Sequence, residues 1–159
     1  MQFEFRFARA SDAAVVWAVR TQAIRIKCSS HYPADVIESW AAAAMPSTFG
    51  ALLENEYFFV AKQGGRIVGY AGLKSAEQEI DAVFVSPDMN GKGLGTLLLE
   101  RTEMQARVLQ FRTVKLHASL NAVNFYHRAG YREVGRGWHS TRSGLEIACV
   151  HMEKNFGSA

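Results

Sequence analysis

The chain has 159 residues, 48% of them apolar and 21% charged, a balance that excludes disorder and suffices for one domain with its own core. Its net charge is only +3, with no basic cluster and no recognised nucleic-acid module, so no nucleic-acid partner is expected. No apolar run is long enough to span a bilayer, no signal-peptide core precedes the first strand, and Cys28 and Cys149 lack metal-ligand spacing, which together predict no membrane, no metal and a cytoplasmic location.

Phe3 to Phe7 alternates with period two and predicts a first strand. Ser11-Asp12 offers a helix N-cap, and Val15, Val16, Val19, Ala23 and Ile26 repeat at helical spacing behind it. After a break over Cys28 to Tyr32, Pro33 predicts a second helix with Val36, Ile37, Trp40 and Ala44 on one face, ended by Pro46. Tyr57 to Ala61 and Ile67 to Leu73 are β-rich runs around Gly64-Gly65, a pair suited to the positive φ angles of a hairpin turn. Glu79 to Val85 is the next strand, with Glu79 and Asp81 alternating onto one face, opposite Ile80.

The following helix, Thr96 to Val108, is expected to bury Leu94, Leu97, Leu98, Met104 and Val108, with Arg101 and Gln105 interrupting that face. Thr113 to Ala118 reads as a strand and Ala122 to Arg128 as a short helix stopped at Gly130. Tyr131 to Gly135 and Glu146 to Met152 form a closing strand pair that turns near Ser143-Gly144. No repeat, linker or low-complexity tract divides the chain, so residues 1–159 are expected to be a single mixed α/β domain of order βααβββαβαββ.

The segment joining the fourth strand to its helix carries the most chemistry. Val85-Ser86-Pro87 stops the strand, and Gly91, Gly93 and Gly95 remove the Cβ atoms that would keep a ligand off the backbone. The first helical turn then presents unpaired N–H groups at the positive end of the helix dipole, a seat for a phosphate or pyrophosphate. A P-loop is excluded, because Gly93 follows Lys92 and Ser86 stands in the first glycine's place. The Gly-x-Gly-x-Gly spacing, past the chain's midpoint, also fails the dinucleotide fingerprint.

Asn90-Gly91-Lys92-Gly93-Leu94-Gly95 resembles the acetyl-CoA loop of the GNAT-type N-acetyltransferases, whose pattern is Gln/Arg-x-x-Gly-x-Gly/Ala after a Val-x-Pro strand end. Both glycines match, and Asn90 replaces the usual Gln or Arg. Downstream, Asn121-Ala122-Val123-Asn124-Phe125-Tyr126-His127-Arg128-Ala129-Gly130-Tyr131 resembles the same family's Ala-x-x-Phe-Tyr-x-x-x-Gly-Phe/Tyr signature. The resemblance covers nearly the whole chain. It implies a central, mostly antiparallel, splayed sheet with flanking helices. It also implies acetyl-CoA as cofactor and acetyl transfer to a primary amine, on a small molecule or a peptide, by direct attack in a ternary complex. A homodimer is left open, with Trp138 and His139 available for that contact or for the acceptor pocket.

By the same resemblance, Val83, Phe84 and Val85 hold the pantetheine arm through the main chain, and a strand N–H holds the thioester oxygen. Asn90, Gly91, Lys92, Gly93, Leu94, Gly95 and Thr96 form the pyrophosphate cradle. Tyr126 corresponds to the tyrosine that protonates the departing sulfur, a task suited to a phenol that keeps its proton at neutral pH. Asn121 and Asn124 are further cofactor contacts, while the family's asparagine seven residues before the tyrosine is Ser119 here. Glu79 and then Asp81 are the candidate bases, with His117 a further one. His31, Tyr32 and Trp40, on the early helices, are candidates for the acceptor pocket, and a core role for Trp40 is the competing assignment. Neither cysteine lies in a nucleophile motif, so no covalent enzyme intermediate is expected. A second class stays open: a non-catalytic CoA-binding sensor or partner-binding module of the same fold.

Overall fold

Three β-rich runs of the first half fold as an antiparallel meander, because short turns join them and alternate side chains are apolar. In the computed structural model, which describes residues 2–157, these are β2 (Tyr57–Gln63), β3 (Arg66–Lys74) and β4 (Glu79–Val85). β1 (Glu4–Phe7) adds to the outer side of β2. The second half contributes β5 (Thr113–Ser119), β6 (Arg132–Ser140) and β7 (Glu146–Asn155). The seven strands form one sheet of order β1-β2-β3-β4-β5-β7-β6, antiparallel throughout except where β4 meets β5.

Helices cover both faces. α1 (Ala13–Lys27) and α3 (Phe49–Asn55) pack Val16, Val19, Phe49 and Leu53 against Phe58, Val60, Tyr70 and Ala82. α2 (Ala34–Ala41) joins Ile37 and Trp40 to Ile24, Cys28, Tyr32 and Ile147. On the opposite face, α4 (Leu94–Val108) buries Leu94 and Leu98 against Ala61, Val68, Ala71 and Val85. α5 (Val123–Arg128) sets Tyr126 beside Leu116, Val114 and Tyr131.

The mixed α/β class and the strand order match the sequence reading, with one additional helix. α3 falls where no element was expected, since its apolar residues Phe49, Leu52 and Leu53 make only one short turn-and-a-half of helical spacing. α2 stops at Ala41 and does not reach Ala44. Asp12 does not cap α1 directly. Its carboxylate accepts the Arg9 N–H at 2.8 Å and pairs with Arg6, closing a short 3-10 turn ahead of the helix. In α1, Val15 and Ile26 point outward, and Arg20 and Ile24 are buried instead.

The buried face of α4 also differs from expectation. Leu97, Met104 and Val108 are exposed, while Leu94, Leu98, Leu99, Thr102, Glu103 and Ala106 are buried. Hydropathy misled because two polar residues belong to the true face and are satisfied there. The Thr102 hydroxyl donates to the Leu98 carbonyl at 2.9 Å, and Glu103 accepts from the Tyr131 hydroxyl and the Lys154 ammonium. Arg101, one of the interrupting residues, lies over the Phe5 ring at 4.6 Å. β6 runs on to Ser140, well past Gly135, as an outermost strand with Val134 bulged out of its register.

Tyr32 ties the helical side to the second half of the sheet. Its hydroxyl donates to the Ala148 carbonyl at 2.6 Å and accepts the Leu120 N–H at 3.0 Å. Burial pushes its pKa up to about 12, so the donor is retained. Tyr32→Phe preserves the ring packing on Trp40 and strands both backbone groups. It should therefore cost about 1–3 kcal/mol, measured as a lowered urea midpoint at unchanged slope; an unchanged midpoint would show that water replaces the hydroxyl.

Candidate active site

β4 and β5 pair only at Glu79↔Lys115 and Ile80↔Leu116, after which the two parallel strands diverge. From Ala82 to Val85, β4 is bonded to β3 alone, and its other edge is free. Asp81 has no partner on β3, because the register steps from Leu73↔Ile80 to Gly72↔Ala82. Such a bulge bends the strand and is characteristic of positions beside a site. The gap opens into a cavity of about 490 Å³.

Thirteen of the sequence-derived candidates border this cavity: Trp40, Glu79, Asp81, Val83, Phe84, Val85, Asn90, Gly95, His117, Ser119, Asn121, Tyr126 and His139. Gly91, Lys92, Gly93, Leu94, Thr96 and Asn124 do not. Leu94 is buried in the α4 core and anchors the loop, and the other five are exposed or open to solvent. His31 also stands away from the cavity, and Tyr32 serves as the backbone tie described above. Trp40 is both core and cavity wall.

The glycine loop has the geometry its spacing demands. Gly91 and Gly93 take φ values of 78° and 77°, in the left-handed region, and a Cβ on either would meet nothing within 4 Å. Gly93 is the N-cap of α4, and Leu97 is the first residue to donate back to it, at 3.2 Å. The N–H groups of the first turn are thus left for a ligand. A second orphan lies nearby: Asn121 Oδ1 is buried with no hydrogen-bond partner among the described residues. An open cradle and an unpaired amide oxygen fit a pyrophosphate joined to an amide-bearing arm.

Tyr126 is 7% exposed, borders the cavity, and its hydroxyl has no hydrogen bond within the described chain. Burial raises its pKa well above the ordinary phenol value. Glu79 and Asp81 share one face, but their surroundings differ. Glu79 lies 4.0 Å from His117 Nδ1, whereas Asp81 is ion-paired with Arg142 of the β6–β7 turn. His117 Nδ1 in turn sits 3.1 Å from His139 Nδ1, and the His151 ring packs on His117 at 4.5 Å. Burial holds the pKa of both His117 and His139 below the usual imidazole value, which keeps them neutral at pH 7. No metal-holding cluster exists among the described residues.

Cavity residues that sequence reasoning did not single out include Trp17, Arg20 and Tyr70, whereas Arg128 and Arg142 belong to the arginines between Arg101 and Arg142 that the sequence offers as surroundings of a polyanionic cofactor. For Arg20 a signal existed, because a charge interrupts the apolar run Val16, Val19, Ala23, Ile24. Arg142 reaches the site only through the hairpin that carries it.

A splayed pair of parallel strands, a glycine cradle before a helix and a tyrosine beyond the next strand define an acyl-CoA-binding class of transferase. The family model described as an Acetyltransferase (GNAT) domain matches residues 28–156, and the chain belongs to this family of acetyl-CoA-dependent acetyltransferases. The curated protein "Uncharacterized N-acetyltransferase MJ1207" of Methanocaldococcus jannaschii is 31% identical over 99 residues, 54% of this chain. The aligned part is 44% of that relative, so the chain spans less than half its length. A GCN5-related N-acetyltransferase from Rhodopseudomonas palustris, described as "Aminotransferase, Class-II", has a TM-score of 0.89 and 29% identity, covering 98% of this chain and 97% of that one. The PaiA N-acetyltransferase from Thermoplasma acidophilum, solved with coenzyme A, shares the fold at a TM-score of 0.75 and 19% identity, covering 98% of this chain and 100% of its own.

The histidine pair makes stability depend on pH. Folded His117 and His139 bind protons less readily than in the unfolded chain. Their contribution is therefore complete above about pH 6.5 and is lost as pH falls below it. Urea midpoints between about pH 7.5 and pH 5 should drop, and His117→Gln should flatten that drop. Equal slopes in variant and wild type would remove the assignment.

Proposed function

We propose that this chain moves an acetyl group from acetyl-CoA to a primary amine by direct attack, with both reactants held at once between β4 and β5. The observation that carries the reading is the free edge of β4, which opens onto a cavity shared by Tyr126, Asn121, Glu79 and His117. When bound, acetyl-CoA supplies a thioester carbonyl open to attack by nitrogen.

The N–H groups of Leu94, Gly95 and Thr96 hold the pyrophosphate, with Gly91 and Gly93 leaving room for it and Asn90 and Lys92 on the rim. Val83, Phe84 and Val85 bond the pantetheine through the main chain, and Asn121 Oδ1 accepts one of its amide N–H groups. Ser119 and Asn124 flank the same arm. A β4 N–H holds the carbonyl oxygen as charge builds on it.

A free alkyl amine is unprotonated in only about one molecule per thousand at neutral pH, so the site must remove a proton. Glu79 takes it through a water, and neutral His117 stands 4.0 Å away to accept it next. Asp81 ranks second, since Arg142 already holds its carboxylate. Tyr126 presents its proton to the sulfur as the carbon–sulfur bond breaks. Its raised pKa keeps it protonated to about pH 10 or beyond, so it should add no alkaline limb below that pH.

Coenzyme A and acetyl-CoA should raise the melting temperature in proportion to the logarithm of their concentration. Gly93→Glu places a carboxylate in the cradle at a left-handed φ and should abolish that shift. Tyr126→Phe should lower kcat about a hundredfold and keep the thermal shift. Glu79→Gln should lower the rate and leave the thermal shift with coenzyme A in place. A full thermal shift with no acetylation across amines, amino acids and peptides would leave the CoA-binding module as the function.

A further inference from the structure

The buried guanidinium of Arg20 is the least accounted-for charge in the molecule. It is 6% exposed and borders the cavity. It donates to the Trp40 carbonyl at 2.6 Å and to Thr21 Oγ1 at 3.3 Å, and it lies over the Trp17 ring at 4.0 Å. These bonds occupy two of five N–H donors, and no carboxylate among the described residues pairs with it. A carbonyl and an indole face attract a cation without neutralising it. A guanidinium keeps its charge even when buried, so the missing counter-ion is a standing penalty.

An independent orphan lies beside it. Tyr70 is 3% exposed and borders the same cavity, and its hydroxyl makes no hydrogen bond within the described chain. Arg20, Tyr70, Asp81 and Arg142 all line this one cavity. Arg142 and Asp81 cancel each other. What remains is one unmatched positive charge with a forked donor, and one phenol donor. This is the complement of a single carboxylate, since a dianionic phosphate would call for a second cation. The remaining cavity cations, Lys27, Lys74 and Arg128, are partly or fully exposed, where water solvates them.

We propose that the acceptor is a free α-amino acid, its carboxylate held by Arg20 and Tyr70 and its amino group turned toward Glu79. The aromatic walls formed by Trp17, Trp40 and Phe84 favour an apolar side chain. This assignment rests on the transfer reaction proposed above and names its substrate class. A peptide N-terminus, whose first carboxylate is an amide, lacks the group that Arg20 binds.

Three related amines test it: L-phenylalanine, its near-isostere L-phenylalaninamide, and 2-phenylethylamine, which lacks the carboxyl group, each followed by thiol release from acetyl-CoA. The acid should exceed both others in kcat/KM by about ten- to a hundredfold. In Arg20→Met that ratio should collapse to about unity, and in Tyr70→Phe, which keeps the ring stacked on Phe84, it should fall severalfold. Because the ratio is compared between proteins, the amines' own basicities cancel. Arg20→Lys, which retains charge without the fork, serves if Arg20→Met does not fold, and should lose most of the preference. Calorimetric binding of N-acetyl-L-phenylalanine against its amide, with coenzyme A present, reads the same contact without turnover. Equal use of acid and amide by the wild type, or an unchanged ratio in the Arg20 variants, overturns the carboxylate site while leaving acetyl transfer intact. Arg20-dependent binding of the acid with no turnover of any amine supports the site and overturns the transfer.

Discussion

Two residue pairs of parallel contact join β4 to β5, and the divergence beyond Ile80 and Leu116 decides where everything else must go. A sheet that stayed paired would satisfy the backbone of β4 on both edges and leave no donors for a ligand. The opening between the strands is kept from collapsing by helices on both faces. α1 and α2 wall one side, while the start of α4 and the body of α5 close the other, where a Cβ on Gly95 would stand 3.4 Å from the Phe125 ring. The crossover through α4 brings the glycine loop to the same opening, because a strand that leads directly into a helix delivers the helix N-terminus to the strand's carboxyl end.

Charge inside the opening is arranged by pairing. Asp81 is matched by Arg142, and Glu79 is set against a neutral histidine that is itself bonded to a second. Burial drives both imidazoles toward the uncharged form, so neither meets Glu79 as a fixed cation. The same burial holds the proton on Tyr126. Environment, and not residue type alone, thus sets the protonation state of these imidazoles and of this phenol.

The loop and the tyrosine segment were legible because they are local. Gly91, Gly93 and Gly95 need only their neighbours to make a cradle, and Phe125-Tyr126 with Gly130 fixes its own short helix and stop. The strands were legible through alternation, and the Gly64-Gly65 turn through the positive φ it requires. What the sequence hid depends on distant partners. Thr102 and Glu103 are buried only because Leu98, Tyr131 and Lys154 satisfy them, so hydropathy placed Leu94 and Leu98 correctly on the buried face of α4 but misplaced Leu97, Met104 and Val108. α3 is too short to show a period. Arg142 enters the site from a hairpin more than sixty residues from its partner Asp81, and no local pattern records that pairing. The divergence of β4 from β5 is likewise a property of two strands, which neither sequence displays alone.

β6 is nine residues long, outermost in the sheet and exposed along most of both faces, with Trp138 and Val134 open to solvent. An unpaired strand edge of that length invites other chains to add to it, and extended hydrophobic edges nucleate aggregates. Several features blunt this one. Val134 is bulged out of register, which breaks the straight run of donors and acceptors. Arg132, Glu133 and Arg136 place charged side chains along the strand, which disfavour an apolar partner strand. Gly135 and Gly137 lower the strand's own extended propensity. Resistance to edge-to-edge pairing is thus built into the same hairpin that delivers Arg142 to the cavity, and straightening β6 by deleting the bulge would weaken it.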